Sequence, residues 1–316
     1  MSIPHFQVFN TYSIVAKDPK TGQLGVAVQT HQMGVGGIVP WLSPGIGALA
    51  TQATVNIGYG PMGLAMLRAG VTAPKVVQAL IASDPQAAQR QVAVVDNAGR
   101  VGAWTGEGCI QQAAHHIGHG YSVQANMMTN HTVVPAMAEA FEKASGNLAD
   151  RMMSSLLAAQ TEGGDIRGLQ SAALKIVEGD ITSKEPYPSW KALYDLRVDE
   201  QSDPLEELNR LVRLRGAQLL DEQGYQAIKE GKREEALGFW AEARTQAPEL
   251  EELGFWQAVE LADKYADLDE AIGILKPVLE ADPRRDYWIE LIRRIQTCGL
   301  IERPGTAEKL ISHLEK

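Results

Sequence analysis

The sequence predicts an α+β fold, a layered αββα sandwich followed by an all-α helical-repeat region. Three observations predict it. Apolar strand-like runs alternate with helical runs in the N-terminal part, and tight turns join strand to strand. No charged residue stands between Lys20 and Arg68, whereas the C-terminal part is dense in both signs, a contrast that marks separate units. The C-terminal part also carries an internal repeat.

Residues 11–16 read TYSIVA, and the turn from Lys17 to Gly22 leads into LGVAV at 24–28, which makes a hairpin. A strand follows at 46–51, then helices at 61–68 and 76–82, stopped by Gly70 and by Asp84-Pro85. Strands 91–95 and 101–105 flank the hairpin turn Asp96-Asn97-Ala98-Gly99. A strand at 121–125, helices at 133–144 and 148–161, and a strand at 171–177 complete the pattern. Residues 179–194 read as loop, before a short strand at 194–198. Hairpin connections imply largely antiparallel sheets, and two such sheets with helices outside give the sandwich.

Pro204 opens a helical region. Ala236, Trp240, Ala243 and Pro248 recur as Ala271, Leu275, Val278 and Pro283, each 35 residues on. That offset is close to the tetratricopeptide period of about 34. Gly224 stands where a small residue lets paired helices approach, and Pro277 is expected to kink its helix. Helices at 285–296 and 307–314 are expected as caps. The organisation is therefore a leader at 1–10, the sandwich at 11–200 and the helical region at 201–316.

With 316 residues, 45% hydrophobic and 22% charged, the composition is that of an ordinary globular chain of about two domains. The net charge of -10 lacks the basic footprint of a nucleic-acid binder. Cys109 and Cys298 are too far apart in sequence to suggest a disulfide framework or a zinc site, so a reducing, cytoplasmic setting is expected. The N-terminus lacks the pattern of a signal peptide. Glycines and prolines break the charge-free stretch, so no membrane span is expected. No phosphate loop or G-x-G-x-x-G series is present, and no cofactor is expected.

Three places carry candidate chemistry. Thr11 begins the first hairpin. A hydroxyl becomes a nucleophile when a base takes its proton, and the α-amine of a chain that starts at Thr is such a base. Thr11 also reads as an ordinary β-branched strand residue. The turn Gln124-Ala125-Asn126-Met127 ends a strand, and Asn126 with neighbouring N–H groups is a candidate oxyanion holder or simply a turn asparagine. In the loop from Gly163 to Ser171, Asp165 and Arg167 either orient an amine or a substrate, or form a local ion pair. His31, Gln52 and Gln124 join Arg167 as candidate substrate contacts, and His31 is also a weak general-base candidate. His115, His116 and His119 precede a strand and lack the nearby carboxylate or thiolate of a metal set. Cys109 reads as a buried structural thiol.

The segments TYSIVAKDPKTGQLGVAVQTH, VPWLSPGIGALATQATVNIGYGPMGL, GYSVQANMM, GGDIRGLQSAAL and YDLRVDEQSDPLEELNRL closely resemble the bacterial family called domain of unknown function 1028, in order from about residue 10 to 214. The resemblance implies an Ntn-hydrolase-like αββα sandwich, whose relatives cut amide bonds with an N-terminal Thr, Ser or Cys. It places the start of the family pattern on Thr11, its GN turn on Ala125-Asn126 with Ala in place of Gly, and its GGDxRGxQSAA loop on residues 163–173. Two readings follow. One is an amidohydrolase that uses Thr11 as nucleophile, Asn126 at the oxyanion and Asp165 as orienting acid. The other is a non-catalytic ligand-binding or scaffold protein whose helical repeats dock a partner protein. The charge-free stretch exceeds what one small core needs and hints at a homo-oligomer.

Overall fold

Short runs of β-branched and small apolar residues between tight turns give the N-terminal part its strands. The computed structural model describes residues 8–9, 11–180, 192–281 and 283–314. The chain divides into two compact units, Met1–Val212 and Arg213–Lys316. The strands of the first unit are β1 (Val8–Phe9), β2 (Thr11–Lys17), β3 (Leu24–Thr30), β4 (Pro40–Ser43), β5 (Gly47–Thr54), β6 (Arg90–Asp96), β7 (Val101–Thr105), β8 (Ala114–Gly118), β9 (Tyr121–Ala125), β10 (Ser171–Val177) and β11 (Tyr194–Val198). Helices α1 (Tyr59–Arg68) and α2 (Ala73–Ala82) precede β6, and α3 (Val133–Lys143) and α4 (Leu148–Thr161) precede β10.

Among the described residues the strands form two antiparallel sheets. One runs β1-β5-β6-β7, with β4 also on β5. The other runs β11-β10-β3-β2-β9-β8. Side chains alternate across each strand, so each sheet has two faces to bury. Between the sheets Val15, Val26 and Val28 meet Ala48, Ala50, Ala93 and Val95. The opposite face of the first sheet, with Leu49, Val92 and Val94, packs on Tyr59, Leu67, Val76 and Leu80 of α1 and α2. The other sheet is covered by α3 and α4: Tyr121 meets Phe141 at 4.7 Å between ring centroids. Full burial of each such side chain contributes about 1.5–3 kcal/mol.

Several differences from the sequence reading have local causes. Helix α1 starts at Tyr59 and α2 at Ala73, because Pro61 and Pro74 fit within a first turn rather than opening it. Strands β1, β4 and β8 are additional, β1 within the residues expected as a leader. The histidines His115 and His116 lie on β8 itself rather than before a strand, and this edge strand is exposed along its length, so it has no apolar alternation to read. The loop expected at 179–194 falls largely outside the described residues.

The C-terminal helices are α5 (Pro204–Lys229), α6 (Arg233–Gln246), α7 (Glu251–Glu260), α8 (Leu268–Ala281), α9 (Arg285–Thr297) and α10 (Thr306–Leu314). Helix α8 continues through Pro277 as one element. The core of the second unit gathers Trp240, Phe255, Leu275, Trp288 and Leu310. Phe255 and Trp288 stack with centroids 4.8 Å apart. Gly224 lets the indole of Trp240 lie against α5: an added Cβ would stand 2.2 Å from Nε1 and 2.3 Å from Cδ1. Trp240 is fully buried and cannot retreat. Gly224→Val is therefore expected to lower stability by about 2–3 kcal/mol through overpacking, read as a shift of the denaturant midpoint. No helix among the described residues is long and apolar enough to cross a membrane.

Candidate functional site

The antiparallel register brings the chemistry-bearing residues to one end of the sandwich. Thr11 opens β2 opposite Thr30, which closes β3. Ser171 opens β10 opposite the same Thr30. Strand β9 ends opposite Tyr12, so Asn126 follows beside Thr11. On the facing sheet Gln52 of β5 pairs with Gln91 of β6. At this end the apolar filling between the sheets gives way to Thr11, Ser13, Gln52, Gln91, Gln124 and Asn126, every one with no exposed surface.

Buried amides and hydroxyls must find partners, and here they bond one another across the sheets. The Ser13 hydroxyl donates to Gln52 Oε1 at 2.6 Å and accepts from Gln124 Nε2 at 2.6 Å. Ser122 Oγ donates to Gln124 Oε1 at 2.9 Å. Gln52 Nε2 donates to Gln91 Oε1 at 2.7 Å and to the Thr11 carbonyl at 3.1 Å. Asn126 donates Nδ2 to Gln91 Oε1 at 3.0 Å and its backbone N–H to the Thr11 carbonyl at 3.1 Å. Gln91 Nε2 reaches Thr105 Oγ1 at 2.9 Å and the carbonyls of Ala114 and Ala125 at 3.1 and 2.9 Å. Thr105 Oγ1 lies 2.8 Å from His115 Nδ1, which carries the network to the surface. Partial desolvation, then the neighbouring His116, pushes the His115 pKa down.

A second cluster adjoins the first. The Asp165 side chain is fully buried and takes a two-pronged bond from Arg167, at 3.1 Å from Nε and 2.7 Å from Nη2. It also accepts the backbone N–H of Arg167 at 2.9 Å and of His31 at 3.1 Å. Asp165 therefore ties its own loop to the end of β3. His31 Nδ1 lies 3.1 Å from the Leu169 carbonyl. The loop also bridges Met128 to Asp165, which sets it against the turn that carries Asn126. Tyr12 donates its hydroxyl to Gln160 at 3.0 Å. Burial, then the charges of Asp165 and Asp203, raises its pKa well above the usual phenol value.

The backbone is forced at the same place. Ala53, after Gln52, has φ 66°, and Met127, after Asn126, has φ 58°. Left-handed φ in non-glycine residues is uncommon and costs energy that surrounding contacts must offset. Asn126 Oδ1 and, nearby, both amide atoms of Gln29 are buried with no hydrogen-bond partner among the described residues. Gln29 lies opposite Tyr12 in the sheet, on the face away from the polar cluster. A buried unpaired amide destabilises by about 1–3 kcal/mol. Gln29→Met, close in shape and without that penalty, is expected to raise the unfolding midpoint. A clear loss of stability would show that the Gln29 amide is paired in solution.

Of the residues singled out in the sequence, Thr11, Gln52, Gln124 and Asn126 are joined in one bonded cluster, and His31, Asp165 and Arg167 in the adjoining one. Cys109 stands apart. It is partly buried, donates to the Arg90 carbonyl at 3.4 Å, and its thiol pKa is raised by burial. Sequence reasoning missed Ser13, Gln91, Thr105 and Ser122, and weighed His115 only for a metal. A signal existed: β3, β5, β6 and β9 each carry one glutamine beside small or apolar neighbours, namely Gln29, Gln52, Gln91 and Gln124. Among the described residues no three His, Cys, Asp or Glu side chains gather as a metal-binding group.

The fold and the site belong together with a family. The chain is a member of the family of unknown function DUF1028, whose model matches residues 11–208. A crystal structure of a protein from Silicibacter pomeroyi, described by the same family model, is similar to it with 29% identity and a TM-score of 0.58. The likeness covers 65% of this chain and 88% of that one. No curated protein matches the chain.

Proposed function

We propose that the first unit is an Ntn-type amidohydrolase with Thr11 as its nucleophile, and that the C-terminal helices are tetratricopeptide-like repeats. The observation that supports this reading most is the place of Thr11: first residue of a central strand, at the polar end of two facing sheets, beside Asn126. The family match also begins at Thr11. Removal of the residues before it would free its α-amine. That amine would bring donors to a place where Asn126 Oδ1 is buried without a partner.

In the proposed reaction the amine takes the Thr11 hydroxyl proton as Oγ attacks an amide carbonyl. Asn126 donates to the oxyanion, and Gln52 and Gln124 hold the surrounding network in place. The C–N bond breaks, the leaving nitrogen takes the proton from the ammonium, and an ester to Thr11 remains. Water then attacks the ester, its proton passes to the amine, and Oγ recovers a proton as the acid leaves. Asp165 orients His31 and Arg167 at the edge of the site, and Arg167 meets the substrate.

A β-lactone tests this. Ring opening by Thr11 adds the whole mass of the lactone to the protein, and peptide mapping locates the ester. The expected result is one adduct on Thr11 that Thr11→Ala abolishes. An equal adduct on the Thr11→Ala chain sinks the proposal.

One observation favours a second reading. Thr11 is fully buried, and Val8 and Phe9 ahead of it pair with Thr54 and Ala53 of β5. An uncut chain of this form has no amine to act as base. The first unit would then bind a ligand or assemble without catalysis, and the helical region would dock a partner protein.

A further inference from the structure

The second unit contains a cavity of about 600 Å³ between the end of α6, the start of α7 and the middle of α8. This is the size of a small-molecule site. Gly254 sets its depth: an added Cβ would stand 2.8 Å from Val278 Cγ2 and 3.6 Å from both Ile274 Cγ2 and Arg244 Cδ. Leu250, Ile274, Pro277 and Val278 make its walls apolar.

Two cations line it, and they differ: Arg284 is paired with Glu251, whereas Arg244 is not paired with a carboxylate among the described residues. Arg244 lines the cavity, is partly buried, and among the described residues bonds only to Gln257 Oε1. Gln257 is fully buried and donates onward to Asp221 at 2.6 Å, which fixes the guanidinium from behind. Burial pushes the Arg244 pKa down, against the pull of Glu270 and Asp221. The carboxylates at the rim are already engaged: Glu249 pairs with Arg213 and Glu251 with Arg284. The guanidinium thus keeps a hydrogen-bonding edge with no carboxylate within ion-pair distance among the described residues.

We propose that this cavity binds a small aliphatic monocarboxylate, its carboxylate on Arg244 and its hydrocarbon chain against Ile274 and Val278. With Arg284 neutralised by Glu251, the one charge left for a ligand is that of Arg244, which matches a single negative charge better than a phosphate dianion. The volume accommodates a chain of several carbons, and each methylene buried there strengthens binding.

Calorimetric titration of the full chain with octanoate, octan-1-ol and octylamine tests the assignment. Saturable octanoate binding is expected, with octan-1-ol and octylamine weaker by about tenfold or more. Arg244→Met should weaken octanoate by a similar factor. Gly273 supplies an independent variant, because it is an exposed cavity-lining position on α8 where an added Cβ meets nothing within 4 Å. Gly273→Phe should block binding and Gly273→Ala should preserve it. No saturable octanoate binding, equal binding of octan-1-ol, or full binding by the Gly273→Phe chain would each overturn the proposal. So would a dimer that Gly273→Phe breaks, since the occupant would then be a second copy.

Discussion

A Gln91→Leu chain is expected to lose about 3–5 kcal/mol of stability, the larger of the effects that follow from the polar end of the sandwich. Gln91 is fully buried and is the node of the network. Its Nε2 serves Thr105, Ala114 and Ala125, and its Oε1 accepts from Gln52 and Asn126. Leucine keeps the volume and removes every one of these bonds. Two carbonyls and two side-chain amides lose a partner in a dry interior, at about 1–3 kcal/mol for each group left unpaired. Relaxation of the survivors keeps the total below the simple sum, and changes above about 4–5 kcal/mol are exceptional. Thr105→Val removes one bond of the set and should cost far less. Urea unfolding of the two variants checks this. A Gln91→Leu loss below about 1 kcal/mol would show that the cluster is wetted in solution.

The second large effect lies at the ion pair between the end of α2 and the start of β6. Arg90 Nε meets Asp84 Oδ2 at 2.8 Å, with both side chains 8% exposed. Burial alone would raise the Asp84 pKa. Hydrogen bonds from Arg90, the Gln86 N–H, Asn56 and Tyr59 outweigh it and hold the carboxyl well below the usual carboxylate range. Asp84→Asn leaves the Arg90 charge buried without its counter-ion, which is expected to cost about 3–5 kcal/mol at pH 7. The sign with pH follows from the lowered folded-state pKa. The stabilisation is fully present above the unfolded value of about 3.9 and is lost as pH falls toward the folded one. The gap between wild type and Asp84→Asn should therefore narrow steadily below about pH 4. Denaturant midpoints at pH 7 and pH 3 measure it, and a gap that stays constant would contradict the assignment.

How far the sequence carried depended on what each element buries. Strands β7, β9, β10 and β11 have the bounds their residue patterns predict, and so does α4. Strand β8 escaped because AHHIG is an exposed edge with no buried face to impose a pattern. Strand β4 escaped because it is four residues long, begins at Pro40 and is followed by Pro44, so it reads as turn. For the site, Thr11 and Asn126 stood out as polar residues at the ends of strand-like runs, and Asp165 as a carboxylate in a glycine-rich loop. Gln91 did not, because a single glutamine at the head of a valine-rich strand carries no local sign of its partners. Gln52, Thr105 and Ala125 become its neighbours only through sheet pairing and the packing of one sheet on the other. The Arg244 cavity was hidden for the same reason: its walls come from three helices.

The central claim is that Thr11 acts with a free α-amine. Intact mass together with N-terminal sequencing of the protein purified from its own cells tests it most directly. The account predicts a chain that begins at Thr11, with the Asn10–Thr11 bond cut. A chain that keeps Val8, Phe9 and Asn10 joined to Thr11 while hydrolysing an amide would contradict it.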